Sequence, residues 1–264
     1  MTRWLFGLLA VVLISGTARS HFIWVIPSAT GDAVAIVWSD SPRLGAEEPL
    51  KALNLTKVLF RHADGRVENL KGTPDKDAYR VACPGAGPRT LAVVRNRLAN
   101  DKLITHIGRI QLRDPQGKSP RLAREPVWAD LGLEILSRPD KGPAVFQVVY
   151  RGKPVEKAAV EVFRPGASDT DKVPIFQSDK DGLIAFEAPK AGRFGLMVEH
   201  EFDESGMHDG KPFIKRRYTS TLVIEYAAPE AKKSIPKAGR APGIVGRGNM
   251  ASIERTFSIS PSKK

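Results

Sequence analysis

Five histidines, His21, His62, His106, His200 and His208, carry most of the chain's capacity for metal chemistry, and His21 stands apart by position. It follows Ser15-Gly16-Thr17-Ala18-Arg19-Ser20, a small-residue run with Ala18 and Ser20 at the two positions a signal peptidase inspects. Cleavage after Ser20 gives His21 a free α-amino group with a pKa of about 7.7–8.0. That nitrogen and Nδ1 of the same residue can close a chelate ring on a metal. One further imidazole completes a T-shaped nitrogen set of the kind Cu(II) and Ni(II) favour. The competing reading is that His21 is simply the residue that processing leaves behind.

The other histidines are read from strand alternation, in which residues two apart share a face. His200 shares a face with Phe194, Leu196, Val198 and Phe202, which is a core setting. It also ends its strand and is followed by the acidic loop 201–207 and then His208. A strand-end histidine followed by a loop with a second one is a common way to build a metal site at a sheet edge. The predicted metal ligands are therefore His21, His200 and His208, with Glu199, Glu201 and Asp203 as outer groups that orient them. His106 shares a face with Ile104, Ile110 and Leu112 and reads as a core or rim imidazole, and His62 as a loop residue.

Nothing in the sequence marks a catalytic residue. There is no Gly-x-Ser-x-Gly and no phosphate-cradling glycine loop. Asp179, Asp181 and Gly182 imitate part of a calcium loop, but no carboxylate follows at the twelfth position, so a hairpin is expected there. Cys83 is the one cysteine in 264 residues, which excludes an internal disulfide and leaves stability to packing. No organic cofactor is implied. The cofactor expected is a single Cu, Ni or Co ion.

These residues need elements to hold them. Residues 1–20 form the expected signal peptide: Arg3, an apolar run from Trp4 to Ile14 too short to span a bilayer, and the small-residue site. Export to the periplasm or beyond follows, with no transmembrane segment after cleavage. Short runs rich in β-branched and aromatic residues, such as 33–38, 90–94 and 145–150, are bounded by Gly, Pro, Asp or Ser and read as strands. The fold class is all-β. A stretch at 114–126 with three prolines and five charges separates a module at 21–113 from a second at 127–226.

The formal net charge is +12, and half of it falls in 227–264, where eight Lys and Arg face two Glu. This Pro-, Gly- and Ser-rich tail reads as disordered. On an exported protein such a tail suits an anionic envelope polymer, lipid headgroups or an envelope transporter rather than nucleic acid, the competing reading being a solvated tail that serves solubility.

The second module carries a resemblance. Gly152-Lys153-Pro154, the Asp181-Gly182 hairpin and Pro189-Lys190-Ala191-Gly192-Arg193-Phe194 are similar to the prealbumin-like, or carboxypeptidase-regulatory-like, β-sandwich. It implies two consecutive β-sandwiches of Ig-like or prealbumin-like type. The start His21-Phe22-Ile23-Trp24-Val25-Ile26-Pro27 resembles the NikM-like family of exported bacterial proteins, described as periplasmic components of nickel and cobalt uptake. So do Pro84-Gly85-Ala86-Gly87, Leu131-Gly132-Leu133-Glu134-Ile135, His208-Asp209-Gly210-Lys211 and Arg216-Arg217-Tyr218-Thr219-Ser220-Thr221-Leu222. Arg217 stands where that family has a histidine.

The resemblance implies a non-enzymatic envelope protein that binds or delivers a transition metal. The alternatives are a metal-free adhesion or structural β-sandwich and a copper oxidase resembling lytic polysaccharide monooxygenases, which also begin with a chelating histidine.

Overall fold

The computed structural model describes residues 21–44, 53, 56–112, 128, 131–142, 144–165, 172–187 and 191–226. The expected signal peptide, the 114–126 linker and the 227–264 tail lie outside them. The described chain is all-β, as its β-branched runs predict.

Strands β1 (Phe22–Pro27) and β2 (Ala33–Ser39) form a hairpin whose register runs from Phe22↔Ser39 to Pro27↔Val34. With β5 (Thr73–Pro74) and β6 (Tyr79–Ala82) they make a four-stranded outer sheet in the order β1-β2-β6-β5. The remaining strands of this half are β3 (Lys57–Arg61), β4 (Val67–Asn69), β7 (Arg89–Ala99) and β8 (Lys102–Leu112), antiparallel neighbours in the order β8-β7-β3-β4.

The later half repeats this division. Strands β9 (Leu133–Ser137), β10 (Val145–Tyr150), β11 (Lys153–Pro154) and β14 (Leu183–Ala185) form a second outer sheet around β10. Strands β12 (Ala159–Phe163), β13 (Ile175–Gln177), β15 (Gly192–Phe202) and β18 (Lys215–Tyr226) form the order β13-β12-β15-β18. Between β15 and β18 lies the small hairpin of β16 (Gly206–His208) and β17 (Lys211–Phe213). The Asp181-Gly182 turn forms, but not as a hairpin: it carries the chain from β13, which pairs with β12 in one sheet, to β14, which pairs with β10 in another. Its Asp179 carboxylate accepts hydrogen bonds from the Asp181 and Leu183 amides, so it closes the turn.

The halves read from the sequence as consecutive modules share one sheet. β8 and β18 pair in parallel from Lys102↔Lys215 to Ile110↔Val223, joining both four-stranded sets into one eight-stranded sheet. Each outer sheet covers one face of it. Alternation along β7 shows this directly: Leu91 and Val93 lie in one apolar core with Ile23, Ile26 and Ile36 of the first outer sheet. Ala92 lies in the other core, with Ile135, Phe146 and Val148 of the second.

A strand covered on both faces can hide a charge. Arg109 of β8 alternates away from Ile110, which the sequence reads as the opposite face, and it is completely buried beneath the second outer sheet. Its Nη1 donates to the Ile135 carbonyl at 3.1 Å and pairs at 3.1 Å with Glu134, also fully buried. The Glu134 carboxylate in turn accepts the Trp128 amide. Cys83 is buried as well, in the core beneath the first outer sheet, and burial pushes its thiol up to about 12.

Candidate functional site

The site begins with how β1 is fastened. Phe22 to Ile26 are all buried, and burial of such side chains stabilises the fold by roughly 1.5–3 kcal/mol each. Two glycines of the central sheet let β1 lie close. A Cβ on Gly108 would meet Ile23 Cγ2 at 2.8 Å, and one on Gly195 would meet the Trp24 ring at 2.8 Å. The Thr221 hydroxyl donates to the Ile23 carbonyl at 2.5 Å, and the Trp24 indole donates to the Ser39 carbonyl at 3.0 Å. A strand tied this way does not fray, so the residue before it is held in place.

That residue is His21. Its side chain is 36% exposed at the rim of the first outer sheet, with Nδ1 3.5 Å from Oδ1 of Asp40, just past the end of β2. The hairpin register brings them together, because counting outward from Phe22↔Ser39 sets His21 against Asp40. Asp40 lies in a braced turn in which Ser39 Oγ donates to the Ser41 carbonyl at 2.6 Å. Its Oδ1 is out of water and, among the described residues, accepts no hydrogen bond. The sequence reading did not single out Asp40, although the hairpin would have pointed to it.

The other predicted ligands stand elsewhere. His200 is on the face of the central sheet that the second outer sheet covers. Its ring packs at 4.5 Å on Phe202, which stacks at 3.7 Å on Tyr150. β1 lies over the opposite face, so the central sheet separates His200 from His21. His208 sits on the β16–β17 hairpin with its Nε2 3.5 Å from Asp209. Arg217, in the position the resemblance assigns to histidine, pairs with Glu199 at 3.6 Å and Glu201 at 3.4 Å. Glu201 also meets Lys102 and Lys215, and the Lys102 hydrogen bond leads in lowering its carboxyl to about 2. These acids are engaged in ion pairs rather than facing a histidine.

The remaining histidines are packed or paired. His62 Nε2 meets Glu68 of the neighbouring strand at 2.7 Å. His106 is 4% exposed under Trp38, ring centroids 4.8 Å apart, while Arg95 lies over the other ring at 4.8 Å. Desolvation, then the charges of Arg95 and Arg97, hold His106 down to about 4. Among the described residues no three of His, Cys, Asp and Glu are grouped closely enough to hold a metal ion.

Residues 115–202, which include β9 to β15, match the family described as "Domain of unknown function (DUF4198)". The match includes His200 but neither His21 nor His208. No curated protein matches the chain. Among solved structures the chain is similar to a "Biofilm associated protein - BSP domain", at 13% identity and a TM-score of 0.20 over 75% of this chain. The chain covers 29% of that protein. Among the described residues no helix is long and apolar enough to cross a membrane.

Proposed function

We propose that the chain is an exported, non-enzymatic β-sandwich protein of the bacterial envelope that captures one transition-metal ion, Ni, Co or Cu, at its processed N-terminus. The observation that supports this most is the placement of His21. The ring is exposed at a rim, yet the strand behind it is buried and pinned. A chelate formed by the His21 amine and Nδ1 then starts from ordered donors, which reduces the entropy lost on binding. An ion held at a rim can be passed on, so a transporter of the envelope is the partner this reading implies. The basic tail is free in this scheme to meet anionic polymer.

His200 and His208 are outside the proposed ligand set, for the reasons their surroundings give. The test is a calorimetric titration of Ni²⁺, Co²⁺ and Cu²⁺ into chain beginning at His21 and into chain that retains Ser20. Binding by the first form alone supports the reading. Equal binding by both defeats it, and binding by neither leaves a metal-free adhesive or structural module.

A further inference from the structure

We infer that Asp40 is the third protein donor of this site, and that the set suits a tetrahedral ion such as Co²⁺ or Zn²⁺ rather than a square-planar one. The inference rests on the reading that processing frees the His21 amine, and goes beyond it by naming a ligand and a geometry.

Three observations carry it. The first is the state of the Asp40 carboxylate. Oδ1 is buried and, among the described residues, has no hydrogen-bond donor. Leaving such an oxygen unsatisfied incurs its desolvation penalty with nothing to offset it. The nearby His21 ring, at 3.5 Å, is at the limit of hydrogen-bond distance and forms none. A cation placed between the two groups satisfies both.

The second is the spacing itself. Nitrogen and oxygen donors lie about 2.0–2.2 Å from Zn²⁺. Two such donors on one ion are then about 3.4 Å apart at the tetrahedral angle, and about 3.0 Å apart at a right angle. The observed 3.5 Å fits the tetrahedral arrangement. A T-shaped nitrogen set of the kind Cu(II) prefers would also need a second imidazole, and the two candidates from the sequence are on the far face or on a separate hairpin.

The third is rigidity. The Trp24 indole grips the Ser39 carbonyl on one side of Asp40, and Ser39 Oγ grips the Ser41 carbonyl on the other. The carboxylate is thus held beside β1 from both directions along its own chain. Amine, Nδ1 and Oδ1 make three donors from two residues, leaving a fourth position for water or for a ligand of the receiving protein.

The test uses Co²⁺ as an optical probe on the chain beginning at His21. Strong visible d–d absorption, displaced by Zn²⁺, is the expected result, since octahedral Co²⁺ is only faintly coloured. Asp40→Asn, nearly isosteric, should weaken Co²⁺ binding at least tenfold and remove the colour, with an unchanged circular dichroism spectrum. In the unsubstituted protein, bound Co²⁺ should shift the Asp40 carboxyl carbon resonance in NMR, which checks the contact without any variant. Undiminished binding and colour in Asp40→Asn, or a pale spectrum from the parent chain, overturns the inference while N-terminal capture stands. Equal binding by chain that retains Ser20, or no binding at all, overturns the capture reading and this inference together.

Discussion

Two polar pairs on opposite sides of the eight-stranded sheet are held in different ways. On the face beneath β9 and β10, Arg109 and Glu134 are completely buried and paired with each other, and each also meets a main-chain group. His200 there packs on an aromatic stack. At the rim of the other face, His21 and Asp40 are each about one-third exposed, and among the described residues a carboxylate oxygen of Asp40 accepts no hydrogen bond. A satisfied polar group stabilises a fold and has little capacity left for a ligand. A held but unsatisfied one does. The contrast separates a histidine that belongs to the core from one available for chemistry, although the sequence ranks both as ligands.

The deepest effect should come from breaking the buried pair. Arg109→Ala or Glu134→Ala strands a buried charge and should lower stability by about 3–5 kcal/mol. Urea unfolding followed by circular dichroism measures it. Replacing both with apolar residues of similar volume should recover most of that loss, because the cost lies in the unpaired charge.

Acid should act next, through His106. Its folded pKa is held down to about 4, below an unfolded value near 6.5, so the unfolded chain binds the extra proton first. Stability is therefore full above about pH 6.5 and falls by roughly 3 kcal/mol as pH drops to about 4. His106→Gln should flatten that part of a stability–pH curve. The Glu201 carboxylate, depressed to about 2, adds a separate decline below about pH 4.3 that the same variant leaves in place.

A smaller effect tests the fastening of β1. Thr221→Val deletes the hydroxyl that meets the Ile23 carbonyl, and should lower stability by about 1 kcal/mol. It should also speed amide exchange at the start of β1. Smallest of all, Arg217→Ala removes partly exposed pairs with Glu199 and Glu201. It should change stability by no more than about 1 kcal/mol and leave metal binding as it was.

Much of the architecture was legible because it is local. The β-branched runs marked the strands, the Asp-Gly turn marked the β13–β14 connection, and alternation put His200 with Phe194, Leu196 and Val198 as found. The parallel pairing of β8 with β18 was not legible, since strands far apart in sequence leave no local pattern of their meeting. The burial of Arg109 followed from it: a period of two shows that a residue faces away from Ile110, but not whether that face is covered. The pairing of His21 with Asp40 was within reach. Both strands of the hairpin were visible, and only the turn at 28–32 was needed to count His21 across to Asp40.

The most direct measurement of the central claim is a matched pair of variants in chain beginning at His21, His21→Ala and His200→Ala, titrated with Co²⁺ by calorimetry. His21→Ala should lose binding by tenfold or more while His200→Ala binds as the parent does. Loss of binding in His200→Ala with retention in His21→Ala would contradict it.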